Sequence, residues 1–509
     1  MRLKIENGMG QKIIHSSPPP VAGEGRVGAS KVGDARWLAL VILCAGFLMI
    51  VLDQTIVNVA LPSIKNDLGF SQAGLAWVVN AYLIAFGGLL LLSGRLGDLL
   101  GRKRIFLVGL AMFTTASLLC GLSISQPMLI AARFVQGIGG AVSTAVILGM
   151  VVTMFPEPAE RARAIGIFSF VASAGASIGL LAGGLLTQAV SWHWIFFVNL
   201  PIGIAIAVLA SRLLESDPGI GLRSGADVLG ALLITSGLML GVYAIVESST
   251  YGLGSLHTLG LGAVAIALVV GFIIRQATAA TPLLPLRLFR GRHFSGANVI
   301  QALATPAMFG FFFLGSLDLQ RVLHYGPMAM GLAFLPVAVG MGALSVGLTA
   351  RLIMRFGAYA VLLAGLATIT VALGLAATGP IVSDYFPNLF IPMALLGIGG
   401  GLAFPGLTVL AMARTTPNDS GVASGLINTT GQVAGALGLA VLATLSTSRT
   451  SDLLGHGKGI TAALSSGYHL AWAIGAGLAL VSLVIAATVL RPERAAEVEV
   501  GIDAEEIPA

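Results

Sequence analysis

Charge is scarce in this chain: Lys and Arg supply 28 residues and Asp and Glu 22, together 10% of 509, where a soluble domain carries roughly 25%. The shortage excludes the several soluble domains that length alone would suggest. Cysteine is scarcer still. Cys44 and Cys120 both lie in apolar runs, so no disulfide framework or thiolate metal cluster can form, and both read as small core residues. No metal-ligand cluster, Walker loop or nucleophile triad occurs, and two glycine patterns that imitate functional motifs lack their context. Gly23, Gly25 and Gly28 fit G-x-G-x-x-G with no strand before them and no helix after. Gly175 to Gly179 fit G-x-S-x-G inside a long apolar segment, without a strand-to-helix turn. Catalysis, a cofactor and a bound metal are therefore not expected.

What is abundant is hydrocarbon. Hydrophobic residues make up 56% of the chain and the mean hydropathy is +0.94, which reads as an all-α, polytopic membrane protein. About fourteen runs approach the roughly 20 residues a bilayer requires. They lie near 37–61, 73–95, 105–124, 127–153, 163–187, 194–213, 227–247, 257–275, 294–316, 328–350, 358–378, 387–411, 421–446 and 468–490. Pro156, Pro158 and the charges at Glu157, Glu160, Arg161 and Arg163 separate the fourth run from the fifth. Residues 1–36, with Lys4, Lys12, Arg26, Lys31 and Pro18 to Pro20, show no apolar periodicity and read as a disordered cytoplasmic tail. The first apolar run is too long and too late for a signal peptide. Residues 492–509 read as a short acidic tail.

The net charge of +6 is spread through short connections rather than gathered on one element, a pattern of membrane orientation and not of nucleic-acid binding. With both termini inside, the inner connections and tails hold Arg102, Lys103, Arg104, Arg161, Arg163, Arg212, Arg223, Arg275, Arg287, Arg290, Arg292, Arg351, Arg355, Arg414, Arg491 and Arg494, besides the amino-terminal group. The outer ones hold only Lys65, Arg321, Arg449 and Lys458. This asymmetry predicts a multi-pass protein of the cell membrane with both termini cytoplasmic.

Within the first run, LDQTIVNVALP from Leu52 to Pro62 places a carboxylate, Asp53, and three polar residues, Gln54, Thr55 and Asn58, in a segment otherwise fit for lipid. A charge there costs roughly 2.5 to 3.5 kcal/mol on insertion scales, so it faces protein or water. At about 100° per residue the four side chains span roughly 200° of the helix. The helix is therefore expected to be wrapped by others and to line a cavity, with Asp53 looking into an aqueous vestibule; an acid that only ties two helices together is the alternative.

An internal echo divides the chain. GRLGDLLGRKR from Gly94 recurs weakly as GLTARLIMRFG from Gly347, and glycine-spaced runs occur at Gly175, Gly179 and Gly183 and again at Gly421, Gly425, Gly431 and Gly435. Two six-helix halves, 37–213 and 286–491, would enclose a mid-membrane cavity. Runs 227–247 and 257–275 fit neither half and read as an insert within a linker, 214–285.

These stretches resemble the major facilitator superfamily, and more narrowly its fourteen-span drug:proton antiporter branch, over almost all of the chain from Trp37 to Arg491. GRLGDLLGRKR resembles the superfamily's inner-loop signature, with Gly94, Gly97, Asp98, Gly101, Arg102, Lys103 and Arg104 in place and Leu99 where a basic residue is usual. The resemblance implies a conformational latch at Gly94, Asp98, Gly101, Arg102 and Arg104, the acid meeting a helix of the other half that would begin at Asn418, Asp419 and Ser420; a solvated loop charge is the alternative. LIAARFVQGIGGA from Leu129 resembles the fourth-helix signature, with Arg133, Gln136, Gly137 and Gly140. Asp53 and Arg133 each lie about six residues, roughly 9 to 10 Å, from the outer end of their runs and can meet at one depth. The pair then serves proton coupling or is a structural salt bridge. ASAGASIGLLAGGLL from Ala172 resembles the antiporter signature, with Gly175, Gly179, Gly183 and Gly184 on a close-packing face and Leu180 where a proline is expected. LDQTIVNVALP, SWHWIFFVNLPIG from Ser191 and PLLPLRLFR from Pro282 resemble the drug:proton branch itself; His193 stands between Trp192 and Trp194 where arginine is usual.

The expected function is proton-coupled export of a hydrophobic or cationic small molecule by alternating access, in a monomer whose partners are substrate, protons and lipid, with no nucleic acid. Burial and a neighbouring cation pull a carboxylate's proton affinity in opposite directions, so Asp53 beside Arg133 could change protonation between the two sides. Gln54, Asn58, Gln136, Asn298, Gln301, Asp318, Asn428 and Gln432 are the candidate substrate-cavity residues. Asp318 is unexpected for the branch and reads as a second cavity acid or as the partner of Arg321. A nutrient facilitator or importer, and a membrane receptor or scaffold, are the rival readings.

Overall fold

The computed structural model describes residues 25–221, 225–252, 254–344, 348–380, 384–412 and 420–490. No strand occurs among them. The first half comprises α1 (Gly25–Leu68), α2 (Gln72–Leu100), α3 (Arg102–Gly121), α4 (Gln126–Met154), α5 (Pro158–Ala189), α6 (Trp194–Phe197) and α7 (Asn199–Leu213). A hairpin of α8 (Val228–Tyr251) and α9 (Leu256–Thr278) follows. The second half comprises α10 (Arg292–Arg321), α11 (Pro327–Ala333), α12 (Leu335–Ala343), α13 (Thr349–Phe356), α14 (Ala358–Ala377), α15 (Tyr385–Asn388), α16 (Phe390–Met412), α17 (Ser420–Gly455) and α18 (Ile460–Val489).

Among the described residues twelve helices are long and apolar enough to cross a membrane. The fifth and tenth expected spans fall on α5 and on the series α11 to α13. The start of α1 at Gly25 shortens the tail expected over 1–36; residues 1–24 and the acidic tail over 492–509 lie outside the described residues. Short polar side chains set several helix starts. Ser71 accepts from the Gly74 N–H at 2.9 Å, and Asp227 from the Gly230 N–H at 2.9 Å.

The two halves repeat one packing device. On α3 and α4, a Cβ at Gly109 would collide with the Ser143 backbone and one at Gly139 with the Phe113 backbone. On α14 and α16, Gly365 stands in the same relation to Ala403, and Gly399 to Ile369. Gly137 lies against the Tyr82 carbonyl of α2, and Gly397 against the Val337 carbonyl of α12. The backbones touch because no side chain intervenes. Gly101 and Gly357, with φ +95° and +83°, make the corresponding turns into α3 and α14. The sequence carries this repeat as Gly-Ile-Gly-Gly at 137–140 and 397–400, a clearer echo than GRLGDLLGRKR.

The halves meet along α1 with α10, α2 with α17, and α5 with α11 and α12. At the end opposite the termini, Gly184 lies against Pro327 and Met328, Gly331 against the Leu180 carbonyl, and the Met328 N–H donates to Gln188 Oε1 at 2.9 Å. The hairpin is not peripheral to this seam, because α8 packs on both α2 and α17. Gly88 receives the Thr235 side chain, and the Thr444 hydroxyl donates to the Ile245 carbonyl at 3.4 Å.

Candidate functional site

Five helices of the first half converge on Asp53. Arg133 Nη1 donates to Asp53 Oδ2 at 2.5 Å, and Gln136 Nε2 and Asn199 Nδ2 donate to Oδ1 at 2.7 and 3.0 Å. Arg133 also donates from Nη1 to Gln136 Oε1 at 2.6 Å and from Nε to the Val78 carbonyl at 2.9 Å. Its guanidinium lies over the Tyr82 ring, 4.3 Å from the centroid. Ser117 Oγ accepts from Gln136 at 2.8 Å. The network thus ties α1 to α2, α3, α4 and α7. The spacing from Arg133 to Gln136 puts both side chains on one face of α4, one turn apart. An ion pair is tolerated at this depth only because the lone pairs and N–H groups around it are satisfied.

Asp53 and Arg133 therefore come together, but not in the surroundings expected. Asp53 is 0% and Arg133 1% exposed, so the acid is sealed inside the first half and does not look into a vestibule. The polar residues of α1 divide their tasks. Gln54 is half-buried and donates to Tyr82 Oη at 3.4 Å, making a thin wall in front of the network. Thr55 and Asn58 bond back to carbonyls of their own helix, Thr55 to Val51 and Leu52 and Asn58 to Gln54 and Thr55. Gly175 packs on Leu48 and Val51, Gly179 on Thr55 and Gly183 on Ile56, which makes α5 a smooth face for α1, while Gly184 serves the other half. The helix runs unbroken through Leu180.

Three cavity candidates change role. Gln136 belongs to the Asp53 network. Asn298 is buried between helices, accepting from Thr430 Oγ1 at 2.7 Å and donating to the Phe294 carbonyl at 2.9 Å. Asp318 is buried within the second half, away from α1, in a small pocket with Ser465, His469 and Trp472. Gln432 sits on the α2–α17 seam beside Gly87, Gln301 beside Gly431, and Asn428 is exposed.

The loop stretch from Gly94 to Arg104 is clasped from within its own half and by the start of the linker that follows it. Arg102 donates to Asp98 Oδ1 and to the Gly149 carbonyl of α4, both at 3.1 Å. Lys103 Nζ donates to the carbonyls of Ser211 and Leu214 at 2.8 and 2.5 Å, and the Ile220 N–H donates to the Asp98 carbonyl at 2.9 Å. Arg104 is exposed and Gly94 half-buried. The helix start expected to meet Asp98, at Asn418 and Asp419, lies outside the described residues.

Sequence reasoning missed Asn199, Ser117 and Tyr82. Asn199 carried a signal, an amide alone in an apolar run two residues before Pro201. Ser117 and Tyr82 carried none apart from what the fold supplies. SWHW is structural, with Trp192 Nε1 donating to Asp67 Oδ2 at 2.8 Å and the His193 ring stacked on Trp192 at 3.8 Å. Burial holds the His193 imidazole below its ordinary pKa, against the opposing pull of Asp67.

A family model described as Major Facilitator Superfamily matches residues 43–439 and 318–508. The puromycin resistance protein pur8 of Streptomyces alboniger is 37% identical over 89% of this chain and 90% of its own. The cephamycin export protein CmcT of Amycolatopsis lactamdurans is 38% identical over 92% and 94%. The tetracenomycin C resistance and export protein of Streptomyces glaucescens is 33% identical over 86% and 80%. Among solved structures, a bacterial homolog of the human lysosomal transporter Spinster, inward-facing and unoccupied, has a TM-score of 0.65 at 16% identity, over 91% of this chain and 99% of that one. The POT family transporter PepTSo has 0.64 at 17%, over 88% and 97%. At such identity these two establish the fold alone.

Proposed function

The chain belongs to the major facilitator superfamily, in its drug-efflux branch, and on that premise we propose that it exports a hydrophobic or cationic small molecule in exchange for protons. The observation that carries the reading is chain-long identity to proteins named for resistance to, or export of, puromycin, cephamycin and tetracenomycin C. In this reading the protein works as a monomer with fourteen crossings and both termini in the cytoplasm. Residues 37–213 and 286–491 rock about the seams of α2 with α17 and α5 with α11 and α12, while α8 and α9 brace the first seam.

The Asp53 network supplies the coupling element. While Asp53 is ionised it holds Arg133, Gln136 and Asn199 together and fixes α1 in the first half. A proton on Asp53 removes the charge that organises these donors, and α1 is then free to shift against α4 and α7. The acid is sealed in the present shape, so it exchanges its proton only in a shape where the Gln54–Tyr82 wall parts and water enters. Gln54, Asn58, Gln301, Asn428 and Gln432 remain the substrate-facing candidates, and the Asp98 clasp remains the latch candidate.

The test is efflux from everted membrane vesicles energised by respiration, with ethidium and puromycin as probes. Uptake into the vesicles that collapses with a protonophore is expected. Uptake that persists after the proton gradient is abolished, or its absence across a broad panel of dyes and antibiotics, overturns the reading.

A further inference from the structure

We propose that the second half carries a proton-binding site of its own, a pocket at the end opposite the termini where Asp318 exchanges protons with outside water through His469. The site deepens the proton-driven reading above, but its existence is read from separate observations.

Asp318 closes the last turn of α10 and is 5% exposed. With Ser465, His469 and Trp472 of α18, Asn388 and the end of α14 it lines a cavity whose accessible space is about 10 Å³, enough for about one water. Trp472, 2% exposed, lines the same cavity, and its Nε1–H has no partner within the protein, so the pocket presents a donor as well as the acid. A buried indole N–H normally finds an acceptor. His469 connects this pocket to the outside. It is half-buried, and it also lines a wide open pocket of about 400 Å³ with Arg449, Ser466 and Leu470. One imidazole therefore borders both the enclosed acid and a pocket open at the surface.

The internal repeat explains why this acid differs from Asp53. The glycine pairs place Met393 where α4 has Arg133 and Leu396 where it has Gln136, four and one residues before Gly397 and Gly137. Both replacements are buried and apolar. The second half thus lacks the cation and amide that clamp the acid of the first. The ionisable groups around Asp318 are Arg321 on its own helix, Tyr468 and His469 on α18, Lys65 of α1, which feels Arg321, Tyr325 and Tyr385 with tilted rings at the same end, and Arg449 of α17. The rest of the cavity wall, from the end of α14 to the residue before α16, is Ala376, Gly379, Pro380, Asn388 and Leu389, with no ionisable side chain. The transfer needs no other reactant: a proton from the open pocket binds one imidazole nitrogen, the other ring nitrogen releases one to a bridging water, and that water protonates the carboxylate.

The test reads protonation directly, in the full chain reconstituted in lipid, without a substrate. Infrared spectra between about pH 5 and 9 should contain a titrating carboxylic acid band in the wild type that Asp318→Asn removes and Asp318→Glu shifts. After a pH jump, His469→Gln should slow the appearance of that band about tenfold or more, and added imidazole should restore it. Identical carboxylic bands in wild type and Asp318→Asn overturn the proposal, as does an unchanged rate in His469→Gln. If Asp318→Asn does not fold, an unshifted band in Asp318→Glu refutes it equally. Failure of proton-driven efflux in the wild type would defeat the export mechanism and leave this site standing, so the two readings fail separately.

Discussion

Removing one member of the Asp53–Arg133 pair should be far more damaging than removing both. Arg133→Met leaves a carboxylate that is 0% exposed with two neutral amide donors and no cation, a situation that costs about 3–5 kcal/mol. Asp53→Leu leaves the guanidinium with the Val78 carbonyl, Gln136 Oε1 and the Tyr82 face, and should cost about as much at the same burial. In the double variant no charge is buried. Gln136 keeps Ser117 Oγ at 2.8 Å and Asn199 keeps it at 3.4 Å, so what remains is one imperfectly satisfied amide, about 1–3 kcal/mol. The double variant should therefore be more stable than either single one, with a coupling energy of several kcal/mol, about the largest that contacting pairs give. Thermal or denaturant unfolding of the purified protein in lipid nanodiscs measures the cycle. Additive losses would mean that the two charges do not compensate each other and would refute the reasoning. Transport separates stability from coupling: the double variant should fold and yet fail to couple efflux to protons, and retained coupling would leave the pair a structural salt bridge.

Two further outcomes test the frame around that network. At Asp227, burial pushes the carboxyl pKa up, but the Gly230 N–H, Gln276 and Arg275 outweigh it and hold it below its ordinary value. A folded-state pKa that is depressed contributes stability above the unfolded value, lost as pH falls through the folded one; Asp227→Ala should cost about 1–2 kcal/mol near neutral pH as a lost helix cap, and its deficit should shrink below about pH 4. An unfolding comparison whose difference is flat with pH would contradict the assignment. Gly184→Leu places a side chain against the backbone of Pro327 and Met328 and should hold that end of the two halves apart. Cys44 and Cys120 are buried, so a cysteine introduced at Thr187, buried in the last turn of α5, can be followed by thiol labelling, which should rise severalfold in the Gly184→Leu background; unchanged labelling would mean that α5 and α11 do not form the closure.

The sequence was most informative where the solvent decides the structure. Runs of apolar residues long enough for a bilayer locate most of the helices, because backbone groups in lipid have no partner but their own helix. The runs expected over 163–187 and 328–350 fall on α5 and on the series α11 to α13, which carry one seam between the halves. The facing of Asp53 was illegible. A helical wheel gives the width of the polar arc on α1, roughly 200°, but the arc contains two destinations: Asp53 turns to Arg133, while Gln54 closes the wall in front of it. Nothing local distinguishes them. Only the donor set distributed over α4 and α7 does, and of that set the sequence pointed to Arg133 and Gln136 but not to Asn199.

The same repeat that fixes the fold also sorts its acids. Where α4 offers Arg133 and Gln136, α16 offers Met393 and Leu396 at the same distance from glycines that press backbone to backbone. A carboxylate on the first helix of the first half is thus paired with a cation that would be expensive to separate from it. The carboxylate at the end of the first helix of the second half, Asp318, has buried apolar side chains at those positions and a histidine that lines both its cavity and an open surface pocket. In the proposed exchange with protons, two halves built alike in backbone but unlike in charge would supply one acid that moves with a conformational change and another that exchanges without one. If that division is right, Asp53→Asn should abolish the dependence of rocking on protons, whereas His469→Gln should alter only how fast protons arrive. Single-molecule distances across the α5–α11 seam, recorded as pH is changed, tell these apart: loss of the pH-dependent distance in His469→Gln at equilibrium would refute it.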